Sequence, residues 1–146
     1  PAFAEAGVRL ALENYEKYTS AELAALVRSI NHPHVGICLD TVNSLGALET
    51  PRDVVAKLGP YVLNLHVKDF QIHRVPSIMG FLVTGCPTGD GMLDLPWLLG
   101  ELARYGRHPS IILELWTLFT ETVEQTIAME REWAHRGIEY LKRFQP

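Results

Sequence analysis

The segment LNLHVKDF, residues 63–70, decides how the rest of the chain is read. An apolar run of strand length ends abruptly in a histidine, a lysine and an aspartate. Side chains alternate between the two faces of a strand, so Leu63, Leu65 and Val67 share one face while Asn64, His66 and Lys68 share the other. The aliphatic face suits packing against helices. The other face belongs to the interior of a barrel or crevice, and its ionisable groups sit near the carboxyl end of the strand.

Three other aliphatic runs follow the same plan. They are GVRLALEN (7–14), VGICLD (35–40) and SIILELW (110–116), and the quoted segment itself extends to YVLNLHVKD (61–69). Each run precedes a helical pattern. In TSAELAALVRSI (19–30), Thr19 and Glu22 have capping-box spacing, Leu23, Leu26, Val27 and Ile30 form an apolar face, and Asn31, His32 and Pro33 stop the helix. TPRDVVAKLG (50–59) has Thr50 as cap and Pro51 in the first turn, and DLPWLLGELARYG (94–106) repeats the device with Pro96 before Gly106 closes it. A last helix is expected from Glu121 to Arg143, with Val123, Ile127 and Ile138 on its inner side and Gly137 as a weak point. Strand followed by helix, four times over, calls for a parallel α/β sheet with right-handed crossovers. Strands buried on both faces account for the nearly continuous apolar runs.

One connection breaks this rhythm. More than twenty residues separate Asp69 from Leu93, with Gly80, Gly85, Gly89 and Gly91 as turn points. Its apolar middle, Ile78 to Val83, predicts a small hairpin, and its length predicts a binding loop or lid.

The strand ends carry the chemistry. Glu13 ends LALE, Asp40 ends GICLD, His66 lies in LNLHV and Glu114 in IILEL, each with parity opposite to its aliphatic neighbours. Sites in parallel α/β folds are built at that end. Three carboxylates and an imidazole converging in a partly dry site must be protonated, paired or bound to a cation. One divalent ion (Mn, Mg, Co or Zn) resolves the repulsion and leaves positions open for substrate oxygens. The competing reading pairs each strand-end group with a local lysine or arginine, but four in matching register favour the metal.

Composition narrows the classes. The chain has 146 residues, 47% hydrophobic and 21% charged, with net charge −4. Basic residues form no stripe, which argues against a nucleic-acid partner. No apolar run reaches the ~18 residues of a membrane span, and no secretory leader is visible. Cys38 and Cys86, in very different settings, read as reduced thiols of a cytoplasmic protein. The first residue is Pro1, which points to a processed, trimmed or fragmentary chain.

The combination LALENY, GICLDTVNSLG, LNLHVKDF, PTGDGMLDLPWLL and IILELW, in that order, resembles the xylose isomerase-like barrel superfamily over essentially the whole chain. That superfamily holds sugar and sugar-phosphate isomerases and epimerases, inosose dehydratases and endonuclease IV. The resemblance implies the last four β-α units of a (β/α)8 TIM barrel, with residues 1–146 as the carboxyl-terminal half of one such domain. It implies Glu13, Asp40, His66 and Glu114 as metal ligands, with Glu13 and Glu114 also the acid–base pair that moves a proton beside the carbonyl of a sugar or sugar phosphate through an enediolate. Lys68, Asp69 and Arg74 fall where relatives place substrate-contacting groups. Asn43 stands where many relatives carry a histidine, and it remains able to bond a substrate hydroxyl. The CPTGDG loop lacks the Asp-x-His pair of endonuclease IV, so DNA repair ranks last. An inosose dehydratase-like lyase and a non-catalytic metal- or sugar-binding half barrel are the alternatives. A complete barrel needs about 250 residues. The expected partner is therefore either a second copy, as a homo-oligomer, or a missing amino-terminal half.

Overall fold

The structure, a computed structural model, describes residues 2–77 and 79–144. Pro1, and Ile78 at the start of the expected hairpin, lie outside the described residues. In chain order the elements are α1 (Ala2–Glu5), β1 (Leu10–Glu13), α2 (Ser20–Ile30), β2 (Val35–Asp40), α3 (Pro51–Leu58), β3 (Val62–Val67), β4 (Asp69–Arg74), β5 (Phe81–Cys86), α4 (Leu95–Arg104), β6 (Ser110–Leu113) and α5 (Val123–Leu141). The class is α/β, as the strand-helix alternation requires. A four-stranded sheet runs in the order β1-β2-β3-β6, with the β1–β2 and β2–β3 pairs parallel.

The helix starts follow the capping chemistry. Thr19 accepts from the Glu22 amide while its own amide donates to the Glu22 carboxylate at 2.8 Å. Thr50 and Asp53 repeat this reciprocal pair ahead of α3, with Pro51 at the first helical position. Asn31 ends α2 in the left-handed region at φ 44°. Gly106, at φ 68°, follows α4.

The described residues fall into two compact units. The first comprises Pro1–His66 and Leu95–Ile112. Its core is built from Ile37, Leu39, Leu58, Leu65, Leu95, Leu98 and Leu102, each at most 1% exposed. Buried Glu49 ties α2 to the approach of α3: its carboxylate receives the Ser20 amide at 2.7 Å, the Ser20 hydroxyl at 2.6 Å and the Lys57 ammonium at 2.7 Å. Burial pushes the Glu49 carboxyl up, but the Lys57 and Ser20 hydrogen bonds outweigh it and hold the group below its ordinary value. Register places Asp40 directly opposite His66 after a bulge in which Ile37 faces Val62 and Cys38 faces Asn64. The ends of β2 and β3 are thereby level.

The second unit comprises Val67–Asp94 and Leu113–Pro146. The long connection proves to be a regular antiparallel hairpin, β4–β5, paired from Asp69↔Cys86 to Arg74↔Phe81. It is longer than the expected Ile78–Val83 segment because Asp69 opens β4 instead of closing β3. The Asp69 carboxylate receives the backbone amides of Phe70, Gly89, Gly91 and Leu93 at 2.8–3.0 Å, which fixes the CPTGDG loop beneath the hairpin.

Helix α5 differs from expectation in its buried side. Val123, Ile127 and Ile138 are exposed, at 58%, 50% and 46%. The half-buried stripe is Thr126, Met129, Trp133, Tyr140 and Leu141, centred on fully buried Gly137. Two apolar ridges run along this helix at similar spacing. The one carrying Gly137 wins because its missing side chain admits close approach: a Cβ there would lie 3.0 Å from both δ carbons of Leu113.

Candidate metal centre

In the first unit, adjacent strands deliver three ionisable groups to one place. Glu13 is the last residue of β1, Asp40 the last of β2 and His66 the penultimate of β3. Each offers a ligand atom, and these atoms lie within 4.8 Å of one another. The His66 Nδ1 stands 3.6 Å from Glu13 Oε1. Asp40 is 1% exposed, His66 half-buried and Glu13 open to solvent. Two carboxylates this close repel each other, and an imidazole beside them completes a mixed oxygen–nitrogen set. That donor chemistry fits a hard or borderline divalent cation.

Two asparagines hold this set in place. Asn14, fully buried, donates through Nδ2 to the Asp40 carbonyl at 3.0 Å and to Ser44 Oγ at 2.9 Å, and accepts the Asp40 amide at 2.7 Å. The carboxyl ends of β1 and β2 are thus stitched together by one side chain. Asn43 donates to Glu13 Oε1 at 3.1 Å and to the Asn14 carbonyl at 3.2 Å. The amides of Val42 and Asn43 both donate to Asp40 Oδ1, at 2.9 and 2.7 Å. The strand end and the following turn therefore fix the Asp40 rotamer through the backbone.

The remaining expected site residues belong to the second unit. The amide of Glu114 donates to the Val67 carbonyl at 3.0 Å, so the chain after β6 continues alongside the end of β3. Within this unit Lys68, 9% exposed, forms a 2.8 Å ion pair with Glu114. Arg74, at the far end of β4, lies 4.7 Å above the Phe81 ring. The Asp69 carboxylate, beside Lys68 in sequence, receives the amides of Phe70, Gly89, Gly91 and Leu93. Cys86, the first residue of the CPTGDG loop, is buried; burial, with the Asp69 and Asp90 charges adding to it, pushes its thiol up to about 12.

The structure thus brings Glu13, Asp40 and His66 together with Asn43, and pairs Lys68 with Glu114. Sequence reasoning missed Asn14. Its signal was its place directly after a strand-end glutamate, where a neutral bidentate side chain bridges two strands.

A family model described as xylose isomerase-like TIM barrel matches residues 1–144. Among curated proteins, the 3-oxo-isoapionate decarboxylase of Pectobacterium atrosepticum is 35% identical over 141 residues, covering 97% of this chain and 51% of that protein. Among solved structures, a xylose isomerase-like TIM barrel protein of Mycobacterium smegmatis in complex with magnesium superposes with a TM-score of 0.67 at 18% identity, over 92% of this chain and 46% of the other. A D-psicose 3-epimerase, solved in the presence of D-fructose, gives 0.65 at 16% identity, over 95% and 49%. The chain spans about half the length of each. These two structural matches establish the fold alone.

Proposed function

The chain belongs to the xylose isomerase-like TIM barrel family, and we propose that it carries the metal-holding, acid–base part of an isomerase or epimerase acting on a sugar or sugar phosphate. The observation that carries this reading is the cluster of Glu13, Asp40 and His66 at three adjacent strand ends. Glu114 is the proposed fourth ligand, from its position just past the end of β6. A bound Mn²⁺, Mg²⁺, Co²⁺ or Zn²⁺ would supply Lewis acidity toward the carbonyl and hydroxyl oxygens of the substrate. The chain's own groups do the rest. Glu13, held by the Asn43 amide, and Glu114, held by the Lys68 ammonium, are the two carboxylates of the proton transfer. One removes the proton beside the carbonyl, leaving an enediolate, and the other returns a proton. Asn43, Lys68 and Arg74 are the proposed substrate-binding groups.

A second reading has its own support, the 35% identity to a protein named as a decarboxylase. In a 3-oxo acid the C–C bond to the carboxylate breaks, its electron pair enters the neighbouring carbonyl as an enolate, and a protonated Glu13 or Glu114 donates to that carbon. Carbon dioxide leaves and no oxidant is needed. Both readings require the same stabilised anion and differ in which bond is broken.

Calorimetric titration of the purified chain with Mn²⁺ tests the common step. Saturable binding that Asp40→Asn weakens at least tenfold is expected; equal binding by both proteins would overturn the reading. Incubation of the metal-loaded protein in D2O with ketoses and with 3-oxo sugar acids then separates the branches. Deuterium beside the carbonyl without loss of carbon supports the isomerase or epimerase, and carbon dioxide release supports the decarboxylase.

A further inference from the structure

We infer that the first unit carries a second ligand site, for a phosphate-bearing small molecule, at the opposite end of the strands from the metal cluster. A cavity of about 580 Å³ is lined by Arg28, His32, Val35, Tyr61, Leu63 and Arg107 among others, and no acidic side chain lines it. Its volume falls in the range of small-molecule sites, roughly 300–1,000 Å³. Val35 is the first residue of β2 and Tyr61 immediately precedes β3, whereas Asp40 and His66 lie at the far ends of those strands. Five residue steps at about 3.3 Å each put the two sites roughly 16 Å apart along β2.

The electrostatics point to an anion. Arg28 sits in the last turn of α2, where a cation complements the helix dipole, and that alone accounts for its presence. It does not account for Arg107. The Arg107 Nε is shielded from solvent and finds no acceptor among the described residues, and neither arginine is ion-paired among them. A buried guanidinium N–H without an acceptor is costly, and native structures supply the acceptor as a side chain, a water or a bound anion. Here the exposed Arg28 and the half-buried Arg107 share one cavity with an imidazole and a phenol, and an oxyanion is the acceptor that can meet the shielded N–H and pair with both guanidiniums. Planar forked guanidiniums bind phosphate oxygens in pairs. The cavity is larger than a bare phosphate and has apolar walls at Val35 and Leu63, which suits a phosphate monoester with a small organic body.

The probes are inorganic phosphate and glycerol 3-phosphate, titrated into the full chain by calorimetry at constant ionic strength, with chloride and glycerol as controls. Saturable binding of both probes, tighter for the ester, is expected. Arg107→Met and, separately, Arg28→Gln should each weaken it tenfold or more, while Mn²⁺ affinity at the other end stays unchanged. Arg28 lies on the exposed surface, so its variant keeps the test valid should Arg107→Met fail to fold. Absence of binding, or binding that survives both substitutions, would overturn the site.

Discussion

At the scale of single residues, the candidate metal centre is a problem of holding carboxylates against their own repulsion. Asp40 is fixed by two backbone amides and through Asn14, but Glu13 is on an exposed strand end, where the Asn43 amide donates to it at 3.1 Å. Groups that orient ligands from behind contribute about 10–100-fold to metal affinity. Asn43→Ala is therefore expected to lower Mn²⁺ affinity by about that factor while leaving the circular dichroism spectrum intact; an unchanged affinity would show that Glu13 needs no tether. Cys86 makes the opposite case, of a reactive group made inert. The thiolate is the nucleophile, and a thiol pushed up to about 12 supplies almost none at pH 8. Native protein should resist iodoacetamide at Cys86 for hours at pH 8, and denatured protein should be labelled within minutes, as mass spectrometry can read directly.

At the scale of elements, the sequence carried what periodicity and caps can carry. The reciprocal Thr19–Glu22 pair and the Thr50 cap were visible from the sequence alone, and so was the parity that puts Glu13, Asp40 and His66 on the polar face of their strands; that Asp53 completes the second pair was not read. Two features were hidden. Nothing in HVKD says that the strand stops at Val67 and that Asp69 starts another, because that boundary is set by four amides arriving from residues 70–93. The choice between two apolar ridges on α5 was likewise made by the packing of Gly137 on Leu113, a contact distant in sequence. Glycines test this distinction between local and distant causes. In β5, a Cβ on Gly85 would lie 1.8 Å from the Trp116 carbonyl oxygen, whereas on Gly100, inside α4, it would meet nothing within 4 Å. Gly100→Ala should stabilise the protein by about 0.5–1 kcal/mol through helix propensity. Gly85→Ala should cost about 3 kcal/mol or more by forcing backbone apart. Urea melts of the two variants give the signs, and a neutral Gly85→Ala would mean that the hairpin does not hold the position described.

At the scale of the whole molecule, pH and metal act on stability through the same linkage. The folded Glu49 carboxyl lies below its ordinary value, so the unfolded chain binds its proton first as pH falls. Its contribution is complete above the unfolded value of about 4.3 and disappears as pH drops through the folded one. Glu49→Gln should cost about 1–2 kcal/mol at pH 7, and the difference should shrink as pH falls through the folded value, because the protonated carboxyl loses the charge that strengthens its bonds from Ser20 and Lys57. A divalent ion held at the strand ends would add a larger and reversible increment. An ion that binds only the folded chain contributes about 2.7 kcal/mol at a hundredfold excess over its dissociation constant. For a chain of this size each kcal/mol moves the melting temperature by about 2–4 °C, so Mn²⁺ should raise Tm by roughly 5–10 °C and a chelator should reverse it. Asp40→Asn should remove the shift, since the amide loses the charge that Glu13 and His66 share with it, while the backbone bonds from Val42 and Asn43 keep an oxygen to donate to. A wild-type Tm that ignores both metal and chelator would mean that the strand-end acids are held by protein partners alone, and that the barrel's chemistry does not reside in this cluster.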